Sequence, residues 1–231
     1  MTSHILITGA SSGIGQALAI QAAKKGYKLS LCGRNPDKLA KTLNLLPDGS
    51  QVYQDTFCVT DHQKINEFVK QAKLKNGPID LLINCAGLNN ARGQGHEIDI
   101  SALDWMMQIN CYAPIAFCQA VVPQMKAQQS GKIVNILSTV CLYANPGIAA
   151  YSASKSAFDS YTKVMRKELR ADNIHFMSVY PGGVDTEFRE AQRPQYLTAK
   201  AVATAILNNL NTDGNTHIHE LILRPQVEEN F

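Results

Sequence analysis

Short apolar runs alternate with amphipathic stretches along the whole chain. HILIT (4–8), KLSLCG (28–33), QVYQDTF (51–57), IDLLIN (79–84), KIVNILS (132–138), IHFMSVYP (174–181) and HIHELIL (217–223) read as strands. Helical stretches lie between them, at 14–25, 36–46, 61–76, about 101–128, 150–171 and 198–210. Gly26 ends the first of these, Pro36 fits the first turn of the second, and Asp61 caps the third. The strands are near-continuous apolar runs, as expected where both faces of a sheet are covered. Seven strands and six helices in strict alternation predict an α/β fold, a parallel sheet with helices on both faces. No linker, low-complexity stretch or internal repeat divides the chain, so residues 1–231 are expected to form one domain.

Ligands in such sheets bind beyond the carboxyl ends of the strands, so the residues just after each strand matter most. The first strand runs into TGASSGIG, with Gly9, Gly13 and Gly15 at a strand–turn–helix junction. Glycines there allow close backbone approach, and the free N–H groups of the following helix suit a pyrophosphate. The spacing is GxxxGxG rather than the general dinucleotide fingerprint GxGxxG. The second strand ends in Cys32-Gly33-Arg34, without the acid that would bond a free ribose 2′-OH. Arg34 instead offers a cation to a 2′-phosphate, which favours NADP; the plainer alternative is a solvated loop arginine. Later strands end in Asn84-Cys85-Ala86-Gly87, in Ser138 and in Pro181-Gly182-Gly183-Val184-Asp185-Thr186.

Composition narrows the possibilities. Hydrophobic residues make up 45%, enough for a full core, and 22 Lys and Arg against 19 Asp and Glu give a formal charge of +3. The basic residues are scattered, which argues against nucleic acid as a partner. The stretch MTSHILITGA has no basic segment followed by a long apolar one, so no secretory leader is expected. No apolar run approaches the roughly 20 residues of a membrane span. The six cysteines include no CxxC, and Cys and His show no zinc-like spacing, so no metal is expected. Small buried thiols in a reducing cytoplasm are the expectation.

One short stretch bears on chemistry directly. YSASK places Tyr151 and Lys155 four residues apart, on one face of a helix. A phenol has a reference pKa near 10, and a fixed cation beside it favours the phenolate. Alone, such a pair is either an acid/base device or an ordinary surface pair. The set TGASSGIG, NCAG, Asn110, Ser138, YSASK and PGGVDT, in this order, resembles the short-chain dehydrogenase/reductase family over essentially the whole chain.

The resemblance implies a doubly wound, Rossmann-type sheet and hydride transfer between a nicotinamide cofactor and a carbonyl or alcohol carbon. It implies Tyr151 as general acid/base, Lys155 as the residue that lowers its pKa and binds the nicotinamide ribose, Ser138 as holder of the substrate oxygen, and Asn110 in a proton relay. Cofactor contacts would come from Gly9, Ser11, Ser12, Gly13, Ile14, Gly15, Arg34, Val59, Asn84, Ala86, Gly87, Tyr151, Lys155, Pro181, Gly182, Val184 and Thr186. It also implies a homo-oligomer, a tetramer in preference to a dimer. Two positions depart from the family pattern. Cys85 replaces the second Asn of the usual NNAG and should face the packed interior. Cys58-Val59 replaces an Asp-Val pair, which leaves only the backbone at Val59 for the adenine.

Pro114 lies four residues after Asn110 and has no N–H, so the Asn110 carbonyl loses its helical partner and is free to hold a water; a simple kink is the alternative. Val140, Leu142, Tyr143 and Gly183 are expected around the substrate, with Phe188 on a short cap between Pro181 and Thr198. HIHELILRPQ resembles family members that act on small hydroxy acids, amino-alcohols or miscellaneous ketones. The expected function is NADP-dependent oxidoreduction of a small carbonyl or alcohol. The alternative is a catalytically idle NADPH-binding sensor or scaffold, which would have no need of Ser138, Tyr151 and Lys155 together.

Overall fold

The computed structural model describes residues 3–188, 192–212 and 216–229. Seven strands form one sheet: β1 (His4–Thr8), β2 (Lys28–Gly33), β3 (Val52–Thr56), β4 (Leu81–Asn84), β5 (Gly131–Ile136), β6 (Ile174–Pro181) and, after a two-residue pair, β9 (Glu220–Leu223). Their order is β3-β2-β1-β4-β5-β6-β9, and every neighbouring pair is parallel. The two-residue pair, β7 (Val184–Asp185) with β8 (Leu197–Thr198), stands apart from this sheet. Segments this short carry no periodicity for a sequence reading to find.

The helices are α1 (Gly13–Lys24), α2 (Pro36–Leu43), α3 (His62–Asn76), α4 (Ile100–Met107), α5 (Ala113–Gln128), α6 (Ala149–Glu168) and α7 (Ala199–Asn208). Asn35 and Asp61 cap α2 and α3, each accepting a backbone N–H three residues on. Alternate residues of each strand go to opposite faces. Ile5, Ile7, Leu29, Leu31, Val134 and Val179 pack with Leu18 and Ala22 of α1 and Val202 and Ile206 of α7. Leu6, Cys32, Leu82, Ile133 and Phe176 pack with Phe68 of α3 and Phe117, Val121 and Met125 of α5. Both faces are therefore dry, which is why the strands read as unbroken apolar runs.

The long helical stretch before β5 is not uniform. Between α4 and α5 the chain makes a π turn over Gln108–Tyr112, in which the Ala113 N–H donates to the Gln108 carbonyl. Pro114 follows directly and supplies no N–H. The disturbance expected from Pro114 is thus present, and the π turn places Asn110 within it.

His4 shows how the sheet carries a titrating group. Its Nδ1 lies 2.9 Å from the Gly77 carbonyl, so Nδ1–H donates there, and Nε2 accepts from the Ser30 hydroxyl at 2.8 Å. Burial holds the ring pKa below its ordinary value of 6.5. The unfolded chain then takes up a proton that the fold resists. Stability from this group is complete above the unfolded value and is lost as pH falls through it toward the lowered folded value. The urea midpoint should fall when pH is lowered from neutral to mildly acidic, and His4→Gln should flatten the fall. A midpoint independent of pH across that window would count against this account.

Candidate active site

The carboxyl ends of β1, β4, β5 and β6 converge on one side of the sheet. At β1 the backbone turns sharply. Gly9 has φ 68°, and a Cβ there would come within 2.8 Å of the Ala86 backbone. A Cβ on Gly15 would overlap the Gly9 carbonyl oxygen. Only glycine allows this packing of turn against helix. Ser12 sits at the N-cap of α1 but makes no side-chain cap, and the first turn holds no acid. The α1 N-terminus thus keeps its N–H groups and positive dipole end for an anion.

At β2, Cys32 and Gly33 are buried while Arg34 is exposed beside the start of α2. A Cβ on Gly33 would lie 2.9 Å from both the Cβ and the Oγ of Ser11. Lys38 of α2 forms an ion pair with Glu187. Beyond β3, Val59 is buried.

At β4, Thr8 Oγ1 accepts the N–H groups of Cys85 and Ala86, each at 3.0 Å. The Asn84 side chain turns into the sheet, donating to Asn135 Oδ1 at 2.9 Å. Cys85 packs partly buried against the core on the α1 face, as expected for that position. Gly87 lies over Asn110 and Lys155, since a Cβ there would be 3.2 Å from Asn110 Oδ1 and 3.3 Å from Lys155 Nζ.

Asn110 uses its whole side chain as a staple. Oδ1 accepts the Leu88 N–H at 2.9 Å, and Nδ2 donates to the Leu88 carbonyl at 2.8 Å and to Ser154 Oγ at 3.0 Å. Ser154 in turn donates to the Tyr151 carbonyl at 2.8 Å. Asn110 therefore reaches α6 through Ser154, and both ends of its amide are engaged.

Tyr151 and Lys155 lie one turn apart on α6, 8% and 5% exposed. Lys155 Nζ donates to the Ile136 carbonyl at 2.9 Å, and burial lowers its pKa from the ordinary lysine value. Ser138, at the end of β5, is also buried. Around Tyr151 close Met106, Ala150, Leu88, Ile98, Val140 and Ile148. The Phe188 ring lies 6.1 Å from that of Tyr151, tilted by 57°, and covers it from the cap.

A model of the short chain dehydrogenase family matches residues 3–197. The chain belongs to the short-chain dehydrogenase family. Among its relatives, an uncharacterised oxidoreductase of Staphylococcus saprophyticus is 34% identical over 227 residues, covering 95% of this chain and 96% of the other. An alcohol dehydrogenase from the archaeon Thermococcus sibiricus, solved in complex with 5-hydroxy-NADP, superposes with a TM-score of 0.91 at 25% identity over the full length of both chains. A metagenomic short-chain oxidoreductase in complex with NADP gives 0.84 at 25% identity, covering 97% and 98%.

Within this short-chain dehydrogenase, the sheet edge gathers the Gly9–Gly15 turn, Ser138, Tyr151, Lys155 and Asn110. Thr186 lies against the turn, its Cγ2 being 3.4 Å from where a Gly13 Cβ would stand. Two expected contacts are placed differently. Gly183 is not open to a substrate: its N–H donates to Glu228 at 2.6 Å, its carbonyl accepts from Leu197 at 3.0 Å, and Tyr196 fills the space where a Cβ would be. Leu142 packs with Cys111, Leu137, Phe158 and Tyr180 rather than with the Val140 group around Tyr151. Asn84 Nδ2 and the Ala86 N–H are bonded within the protein.

Sequence reasoning missed Ser154, Thr8, Leu88, Ile98, Ile148 and Glu228. Ser154 stands inside YSASK and was open to inspection. Thr8 likewise opens TGASSGIG, and the remaining four belong to no motif.

Proposed function

We propose that this short-chain dehydrogenase reduces a small carbonyl compound, or oxidises the corresponding alcohol, with NADP(H). The observation that carries the reading is the buried Tyr151–Lys155 pair on α6, with Lys155 bonded to the Ile136 carbonyl two residues before Ser138. The α1 N-terminus would hold the pyrophosphate, Arg34 the 2′-phosphate, Lys155 the nicotinamide ribose, and the Val184–Thr186 segment the nicotinamide end. NADP-bound relatives of the same fold support that choice. The bound dinucleotide supplies the hydride.

In the reducing direction, Ser138 and Tyr151 donate hydrogen bonds to the carbonyl oxygen as charge builds there. Tyr151 passes its proton to that oxygen, and the Lys155 ammonium stabilises the phenolate left behind. A water on the Asn110 carbonyl resupplies the proton through Lys155. The apolar side chains around Tyr151 exclude bulk water and favour a substrate with an apolar flank.

Substrates of the hydroxy-acid, amino-alcohol or miscellaneous ketone type fit this reading. So does a homo-oligomer, a tetramer rather than a dimer, for which exposed Trp105, Tyr112 and Val164 on the α4–α6 side supply apolar surface. A cytoplasmic setting agrees with the six free cysteines, and no described helix is long and apolar enough to cross a membrane. The test is loss of NADPH absorbance with a panel of small ketones, aldehydes and keto acids. Turnover of at least one is expected. Tight NADPH binding with no turnover across the panel would restore the idle sensor or scaffold.

A further inference from the structure

The Gly182-Gly183 pair is held from three directions. The Gly182 N–H donates to the Leu223 carbonyl at 2.7 Å, and the Gly183 carbonyl accepts from Leu197. The third bond is the single one of the three made by a side chain, from the Gly183 N–H to Glu228 Oε1 at 2.6 Å. Glu228 arrives on a turn that follows β9, closed by its own N–H to the Pro225 carbonyl at 3.2 Å. Its other oxygen sits so close to Gly182 that a Cβ on that residue would overlap it. The second glycine faces the Tyr196 ring in the same way. The doublet is therefore cut to admit a carboxylate on one side and an aromatic ring on the other.

The carboxylate is also paired. Arg224 Nε lies 3.6 Å from Glu228 Oε2, with the side chains 14% and 17% exposed. The Arg224 guanidinium carbon stands 4.9 Å from the centre of the Tyr143 ring, a cation–π distance. The five residues from Arg224 to Glu228 thus grip the strand end after β6 through Glu228 and the segment after β5 through Arg224.

We infer that Glu228 is a positioning residue for cofactor binding, which fixes the Gly183 peptide so that Val184 to Thr186 meet the Gly9–Gly15 turn in register. This rests on the proposed NADP-linked function. A charge-assisted bond to a backbone N–H is among the stronger protein hydrogen bonds, and its partner here lies three residues before Thr186, which packs at Gly13. Without it the segment is held at Gly183 by backbone bonds alone, and the site must be ordered when the cofactor arrives.

The test uses the full chain, with NADPH as the titrated probe. Glu228→Ala should weaken NADPH binding by about tenfold and raise its KM in parallel, with kcat changed little. Glu228→Gln keeps a neutral acceptor for the Gly183 N–H and should restore most of the affinity. Amide exchange over 182–188 in the protein without cofactor should quicken in Glu228→Ala and recover in Glu228→Gln. NADPH affinity in Glu228→Ala close to that of the wild type would overturn the inference. So would equal damage in the Ala and Gln variants, or a fall in kcat with KM unchanged. If the wild type itself binds no NADPH, the proposed function fails instead, and the exchange pattern alone decides whether Glu228 fixes the strand end.

Discussion

Tyr151→Phe should lower turnover about a thousandfold or more while leaving NADPH affinity within a few-fold. The substitution removes one hydroxyl and keeps the ring. That ring is the larger part of the packing, lying with Met106, Ala150 and Val140 and under Phe188. Positioned proton transfer contributes roughly 10²–10⁴-fold, and loss of a donor to the developing oxyanion adds to the deficit. NADPH titration by fluorescence and single-turnover kinetics separate the two effects. Activity within about tenfold of the wild type would remove Tyr151 from the acid/base role. Lys155→Ala should behave differently and damage both affinity and turnover, because Lys155 is buried against the Ile136 carbonyl and, in the proposed mechanism, would serve the ribose as well as the phenolate.

The second large effect concerns the choice between NADP and NAD. A charge-assisted bond from Arg34 to the 2′-phosphate is worth roughly 1.5–3 kcal/mol, or about ten- to a hundredfold in favour of NADP. Placing an acid at position 33 should repel the phosphate and accept a bond from a free 2′-OH. Gly33→Asp alone will not achieve this, because its Cβ would come within 2.9 Å of both heavy atoms of the Ser11 side chain. The acid would push Ser11 into the Gly-rich turn and harm both cofactors alike. Combining Ser11→Gly, Gly33→Asp and Arg34→Leu opens that space and should invert the preference. The readout is the ratio of kcat/KM with the two cofactors, taken at low salt so that screening does not mask the exposed arginine. A wild-type enzyme that prefers NAD would show that Arg34 serves the solvent.

Much of this fold is legible in the sequence because burial on both faces writes itself into strands as unbroken apolar runs. The last strand is the exception in extent. HIHELIL reads as seven residues, yet only Glu220–Leu223 pair, against Ser178–Pro181. His217 instead stacks on His175, with ring centres 3.9 Å apart, a contact between residues distant in sequence that no period reveals. The disturbance in the long helix was foreseeable from the missing N–H of Pro114, but its form as a π turn depends on tertiary packing. The YSASK motif is local, so its members could be placed on one helix face. Gly183 could not be placed correctly, because what surrounds it comes from Tyr196 and Glu228, 13 and 45 residues further on. Leu142 shows the same limit: apolarity says that a side chain is covered, not which cluster covers it.

The strand order also has a bearing on how the chain reaches this state. β1 sits between β2 and β4, and no two neighbouring strands are joined by a hairpin. As the polypeptide emerges during synthesis, β1 can pair with β2 and β3 can follow. The other edge of β1, at Ile5, Leu6 and Ile7, stays open until Leu81–Ile83 arrive. That edge belongs to a strand that is apolar on both faces, the kind of surface that recruits foreign strands. Closing it requires a pairing across some 76 residues of chain, slow because loop entropy is lost before the contact forms. The arrangement that brings β1 and β4 together at the candidate site thus makes the interval before β4 appears an aggregation-prone stage in the life of the chain.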